Sequence, residues 1–170
     1  MNTIKITSGK YRGRSLKAPG GATHPMGARE KLALFNIISS YLPEATVLDA
    51  YAGSGALGIE ALSRGAKEAV FIEKNAQASQ VIRENLTSLG LVGEIFRGAV
   101  RDFASKKHFQ VILADPPYDK FNPEEVGQLV KFLADGGILV LSHPGEAPEI
   151  TGLTLIKTSQ YAAAHISIYH

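Results

Sequence analysis

Four apolar runs, ATVLDA (45–50), EAVFIE (68–73), FQVILAD (109–115) and GGILVLSH (136–143), are kept apart by stretches whose apolar residues recur at helical spacing. Strands separated by helices cannot pair as hairpins. They return through right-handed crossovers and lie parallel. The alternation predicts a doubly wound α/β sheet, which binds ligands at the carboxyl ends of its strands. Helices are expected over 55–65, 75–90 and 123–134, with Gly65 and Gly90 as stops and Asn75 as an amino-terminal cap. Another strand, 93–98, precedes a short helix near 100–105. Residues 153–160 and 162–170 alternate with no helix between them, as an antiparallel hairpin would. The expected sheet has seven strands, mostly parallel, with that hairpin at its carboxyl-terminal side.

Ahead of the sheet, residues 3–7 and 13–18 read as a small hairpin over SGKYR, and 18–27 as a Gly- and Pro-rich loop. A helix is expected over 28–41, burying Leu32, Phe35, Ile38 and Leu42 and closed by Pro43. Residues 1–27 are thus expected to form a basic extension on a domain spanning 28–170. Residues 1–31 hold Lys5, Lys10, Arg12, Arg14, Lys17, Arg29 and Lys31 against the single acid Glu30, although the whole chain is only +2. A basic arm on a mildly acidic body predicts a polyanionic partner; a solvated tail is the alternative. With 170 residues, 45% of them hydrophobic, the chain can bury a real core. It has no cysteine, which excludes disulfides and thiolate metal sites. No window approaches the ~20 apolar residues of a membrane span, and the first residues have no apolar signal core, so a cytoplasmic location is expected. The five histidines show no ligand spacing. No metal is expected, and they read as surface or loop residues, with His24 kept as a candidate because it lies in the loop before the first helix.

The first strand runs into DAYAGSGALG (49–58), where Gly53-x-Gly55-x-x-Gly58 opens a helix. Glycines there let backbone approach a nucleotide-like ligand closely. Glu73 ends the next strand, where an acid accepts hydrogen bonds from ribose hydroxyls. The pattern alone fits NAD or S-adenosylmethionine (SAM). Asp49 favours SAM, because it would repel a pyrophosphate but could organise the loop or reach an amino group. The short remainder of the chain also leaves no room for a second substrate domain. After the third strand, Gly98, Ala99 and Val100 are expected to contact adenine, and Asp102 falls too late to do so.

The fourth strand ends on Asp115-Pro116-Pro117-Tyr118. Neither proline donates a backbone hydrogen bond, so the strand stops there. The tetrad suits methyl transfer to an amine conjugated with a ring. The Asp115 carboxylate and the Pro116 carbonyl would accept from the NH2 group and aim its lone pair. The prolines keep the loop rigid, and Tyr118 offers a face for an extracted base.

Together SGKYRGRSLKAPGG, HPMGAREKLALFNII, VLDAYAGSGALGIEALSRGA, FIEKN and ILADPPYDK resemble the RsmD-like guanine-N2 methyltransferases of 16S ribosomal RNA, over nearly the whole chain. The resemblance implies a Rossmann-like class I SAM-dependent methyltransferase that modifies N2 of one guanine in the small-subunit RNA, guanine 966. It also implies a monomer with no membrane contact. Asp49, Gly53, Ser54 and Gly55 would then bind the methionine end of SAM, with Ala50 beside them. Glu73 and the adjacent Lys74 would hold the ribose, and His24 would cover the cofactor. Asp115 to Tyr118 would hold the target amine, with Asp115 also touching SAM. Lys10, Arg12, Arg14, Arg29 and Lys31 would face RNA. The chain departs from the family at His24-Pro25-Met26, where Arg-Pro-Thr is usual, at Lys31, where Arg is usual, and at 98–100, which lack the usual polar residue. Three other readings stand beside this one. The same tetrad serves methylation of adenine N6 or of a protein glutamine. The scaffold could be an idle RNA-binding assembly factor. The glycine pattern also occurs in dehydrogenases.

Overall fold

The structure, a computed structural model, describes residues 2–170 except 22–24 and 163. The seven-stranded sheet is built from β3 (Thr46–Asp49), β4 (Glu68–Ile72), β5 (Glu94–Phe96), β6 (Phe109–Ala114), β7 (Leu133–His143), β8 (Leu155–Tyr161) and β9 (Ala164–Tyr169), preceded by the small hairpin of β1 (Thr3–Lys5) and β2 (Ser15–Lys17). The order across the sheet is β5-β4-β3-β6-β7-β9-β8. The pairs from β5 through β7 are parallel, and β9 runs antiparallel to both β7 and β8. The fold is the expected Rossmann-like one. From β3 the chain winds outward through β4 and β5, then returns to place β6 and β7 on the other side. The reversal leaves a crevice beyond the carboxyl ends of β3 and β6, where the side layers diverge.

The helices are α1 (Ala28–Ile37), α2 (Ala56–Ser63), α3 (Ala76–Ser88) and α4 (Pro123–Gly127). Successive residues of a strand face opposite ways. Leu48, Ile112 and Leu139 therefore pack on one face with Phe103, Leu129 and Phe132, whereas Val47, Val111 and Ile138 pack on the other with Leu34, Phe35 and Ile38 of the α1 region. A third cluster joins Ile6 and Leu16 of the hairpin to Ile59, Phe71, Ile82 and Leu86. The basic extension is thus fastened to α2 and α3 by buried apolar side chains.

Three expectations need correction. The helix foreseen over 123–134 ends at Gly127, continues as a 3-10 turn over Gln128–Phe132, and gives way to β7 at Leu133. Pairing of Leu133 with Phe109 extends the strand backwards, so sheet hydrogen bonding overrides helical periodicity there. The short helix near 100–105 is one 3-10 turn, Val100–Asp102, after which Phe103 packs edge-on against Phe96 and Phe132. Around α1 the buried set is Lys31, Leu34 and Phe35 with Ile38, while Leu32 is 40% exposed. The helix is rotated because Lys31 has a buried carboxylate partner, Glu60.

Candidate active site

The turn after β3 is held from both sides. The Ala50 amide donates to the Leu113 carbonyl of β6, and the Ala52 amide to the Ile72 carbonyl of β4. Gly53 and Gly55 then take φ of 56° and 80°, a left-handed region that side chains disfavour. Gly58 is required for space, since a Cβ there would lie 2.4 Å from the Phe71 ring. Asn85 of α3 donates to the Ser54 carbonyl at 2.9 Å. The loop is therefore fixed before any ligand arrives.

Glu73 anchors it further. One carboxylate oxygen accepts from the Gly53 amide at 2.8 Å and the other from the Asn75 amide at 2.8 Å, while Asn75 caps α3 through the Ala78 amide. Each oxygen keeps a lone pair free for a diol. Asp49 is fully buried beneath the loop. One of its oxygens accepts from the Gly58 amide at 2.9 Å, and the other has no partner among the described residues. Of its two expected roles, the geometry displays loop organisation.

The carboxyl ends of β3, β4 and β6 open onto a cleft of about 1040 Å³. It gathers Ala50, Gly53, Glu73, Lys74, Gly98, Ala99, Val100 and the whole Asp115–Tyr118 tetrad. Ser54 joins Gly53 and Asp115 in an adjoining recess. Gly55 and Asp49 lie below the surface and shape it. His24 lies outside the described residues.

Three acids converge here. Burial pushes the Asp115 carboxyl up to about 6, opposed by the neighbouring Ser142 hydroxyl. Burial pushes Asp49 up to about 7, with the Gly58 amide opposing and the charges of Asp115 and Glu73 adding to the rise. Among the described residues none of the three forms an ion pair. Desolvated carboxylates without a counter-charge favour a cationic ligand and disfavour a pyrophosphate. SAM carries a sulfonium and an ammonium group and offers a ribose diol to Glu73, so the residues fit it better than they fit NAD.

The basic residues separate into two groups. Lys31 does not face outward: it is 1% exposed, with Nζ 2.7 Å from the Lys5 carbonyl oxygen and 3.3 Å from a Glu60 carboxylate oxygen. Its expected RNA contact is thereby corrected, because a charge buried against a carboxylate cannot meet a phosphate. Lys10, Arg12, Arg14 and Arg29 are exposed. The loop carrying the first three is tied to the carboxyl-terminal ends of α2 and α3. The Lys10 amide donates to the Ser63 carbonyl, and the Arg14 guanidinium to the Ser88 carbonyl at 3.0 Å. Arg14 thus satisfies a helix-end carbonyl at the end of the sheet opposite the cleft. Nearer the cleft stand Arg101 and Lys120, which sequence reasoning did not select, along with Glu30, Glu125 and Ser142. Their only sequence signal was closeness to the expected loops. His143, expected at the surface, is fully buried and stacked between Phe121 and His165. Among the described residues no group of three His, Cys, Asp or Glu side chains could hold a metal ion, and no helix is long and apolar enough to cross a membrane.

A family model described as conserved hypothetical protein 95 matches residues 4–170. The chain is 34% identical to ribosomal RNA small subunit methyltransferase D of Haemophilus influenzae, with 98% of this chain and 93% of that protein covered. It is 36% identical to the Escherichia coli K12 protein of the same name over 84% of this chain and 76% of that one. The solved structure of the Escherichia coli protein yhhF superposes with a TM-score of 0.88 at 30% identity, covering 99% of this chain and 97% of its own. The likeness thus runs the length of a chain whose glycine turn, strand-end glutamate and acidic proline turn face one cleft of a Rossmann-like sheet, and the protein belongs to the conserved hypothetical protein 95 family of RsmD-like methyltransferases.

Proposed function

We propose that this protein transfers a methyl group from SAM to the exocyclic N2 of a guanine in 16S ribosomal RNA, guanine 966 in the family's reading. The observation that carries the proposal is that Glu73 and Asp115 line, and Asp49 underlies, a cleft whose rim is the Asp-Pro-Pro-Tyr turn, with none of the three in an ion pair among the described residues. Bound there, SAM supplies an electrophilic methyl on a sulfonium. The protein's own residues do the remainder. Glu73 holds the diol, and the glycine turn presents backbone to the methionine end. Gly98 to Val100 border the adenine. The Asp115 carboxylate and Pro116 carbonyl accept from the target NH2 group, drawing its lone pair out of conjugation toward the methyl. The Tyr118 ring supports the base.

The acids that line the cleft support guanine over adenine as the base. Its Watson–Crick edge presents an N1–H donor beside the amine, where adenine presents an acceptor. Glu30 and Glu125 line the cleft with Asp115 and supply carboxylate acceptors. Lys74, Arg101 and Lys120 on the same wall can meet phosphates. We further propose that residues 1–27 form an RNA-facing extension to a transferase domain over 28–170. Arg12 and Arg14 would there touch RNA distant from the target base. The enzyme would act as a cytoplasmic monomer.

The deciding experiment follows tritium from SAM into small-subunit particles, naked DNA and a release factor, with nucleoside digestion of labelled RNA. The expected product is N2-methylguanosine from the particles alone. Label in N6-methyladenine or in protein would overturn the choice of amine, and no label at all would favour a binding-only role.

Two variants probe the halves of the site. Glu73→Ala is expected to weaken S-adenosylhomocysteine binding by about 1–3 kcal/mol in calorimetry, since it deprives the Gly53 amide of its acceptor as well as the ribose. Unchanged affinity would exclude the ribose role. Neutralising Arg12 and Arg14 together is expected to lower RNA affinity and reduce the slope of log K against log salt by up to about 2. An unaltered slope would leave Arg14 as a helix cap only.

A further inference from the structure

We propose that Ser142 is a positioning residue for methyl transfer, its hydroxyl tying the Tyr118 ring and the Asp115 carboxylate into one fixed constellation. The inference rests on the methyl-transfer reading above. Ser142 lies in β7, one residue beyond Leu141, which pairs with Ala114 of β6. The next residues, Asp115 and Ser142, therefore stand side by side at the mouth of the sheet. Ser142 is 2% exposed yet borders the cleft. Its hydroxyl is hydrogen-bonded to the Tyr118 hydroxyl, and the register of β6 and β7 sets it beside Asp115, where it can donate to that carboxylate.

The direction of the chain is set by chemistry. An ionised carboxylate only accepts, so a Ser142 hydroxyl that serves Asp115 spends its single proton there. The Tyr118 hydroxyl must then donate to the Ser142 oxygen. The relay runs from Tyr118 through Ser142 to Asp115 and ends on the charge that meets the amine. One small side chain thus fixes both the ring that carries the base and the acceptor that aims its nitrogen. Tyr118 remains 37% exposed, which leaves ring surface open to a base. The following turn is held separately, because Phe121 stacks on His143 with centroids 6.3 Å apart. Without Ser142 the loop would stay in place, but Tyr118 and Asp115 would lose their mutual register.

Other charges also bear on this pair. Asp49 ends β3, the strand beside β6, and the charges of Asp49 and Asp115 act on each other, while Glu30 of α1 acts on Tyr118. Asp115→Ala would confound acceptor and relay. Ser142→Ala removes the relay alone, and Ser142→Thr keeps a hydroxyl.

The test has two arms. In the first, methyl transfer by wild type, Ser142→Ala and Ser142→Thr is followed against pH with SAM and small-subunit particles. Ser142→Ala is expected to lower kcat by about tenfold or more, the usual scale for a hydrogen bond to a buried charge. Its acid limb should move to higher pH, because Asp115 loses the donor that favours its ionised form. Affinity for S-adenosylhomocysteine should hold, and Ser142→Thr should restore much of the rate. In the second arm, carbon-13 NMR of the Asp115 carboxyl in the protein alone should show its midpoint, about 6 in wild type, rising in Ser142→Ala. A lowered rate with an unmoved acid limb and midpoint would overturn the proposal, as would an unchanged rate. Failure of the wild type to methylate particles would sink the reading of function instead. The NMR arm would still decide whether Ser142 holds Asp115.

Discussion

Asp115→Ala is expected to lower methyl transfer by on the order of 10²- to 10³-fold while leaving S-adenosylhomocysteine affinity within a few-fold of wild type. In the proposed reaction the target amine is planar and its electron pair is shared with the ring. Two acceptors would face it, and the variant would keep only the Pro116 carbonyl, which carries no full charge. The loss falls on kcat, since the acceptor matters most as the nitrogen turns tetrahedral. Folding should not suffer. The folded-state pKa of Asp115 is raised to about 6 from an ordinary 3.8. Proton binding is therefore tighter in the folded chain, and this group's effect on stability worsens as pH rises from about 4 through 6. Above that window the bare carboxylate opposes folding, so Asp115→Ala at pH 7.5 should melt at or slightly above the wild-type temperature. Single-turnover transfer and thermal unfolding on the same preparation check both halves. A variant that melts much lower and loses rate in proportion would make Asp115 a structural residue.

The raised pKa also explains why the site escapes simple optimisation. Asp115 and Asp49 both sit where water is scarce, and neither is compensated by a cation among the described residues. Such an arrangement is costly in the free protein and favourable once a positive ligand arrives. On the proposed reading, stability is surrendered at the point where the chemistry needs a charge.

What the sequence makes legible is local or periodic. Gly53, Gly55 and Gly58 announce a turn by their spacing, and Glu73 sits at the end of the next apolar run. Asp115 stands where two prolines forbid further pairing. These follow from rules acting over a few residues, and the cleft indeed gathers Gly53, Glu73 and Asp115. Lys31 reads as an exposed cation because its partner, Glu60, is 29 positions away on another helix. Arg14 reads as a free cation because its carbonyl acceptor, Ser88, is distant in sequence. Ser142 resembles any small residue at a strand end until β6 and β7 are placed in register. Each miss concerns a polar side chain satisfied by a long-range partner, which periodicity does not encode.

The buried network around Glu60 carries the other large expectation. Glu60→Ala should destabilise the protein by about 3–5 kcal/mol, a fall of roughly 10 °C or more in Tm for a chain of this size. Glu60 has no exposure, and its carboxylate accepts from the Thr7 and Ser8 amides, the Thr7 hydroxyl, Arg64 Nε and Lys31 Nζ. The variant removes one partner and strands the rest. Lys31 remains 1% exposed with its charge unopposed, although burial already lowers its pKa and Glu60 is what restrains that fall. Two amides of the basic extension also lose their acceptor. Converting Lys31 and Glu60 together to Met and Leu should recover part of the loss, because burying no charge costs less than burying half a pair. The effect should reach the cleft. Beyond β2 the chain passes to Ala18 and Pro19, which line the recess shared by Gly53, Ser54 and Asp115. Loosening the hairpin would unseat that wall, so faster hydrogen exchange at Thr7 and Ser8 should accompany weaker S-adenosylhomocysteine binding. A Tm within 2 °C of wild type, or protected Thr7 and Ser8 amides, would show that the apolar contacts of Ile6 and Leu16 alone hold the extension in place.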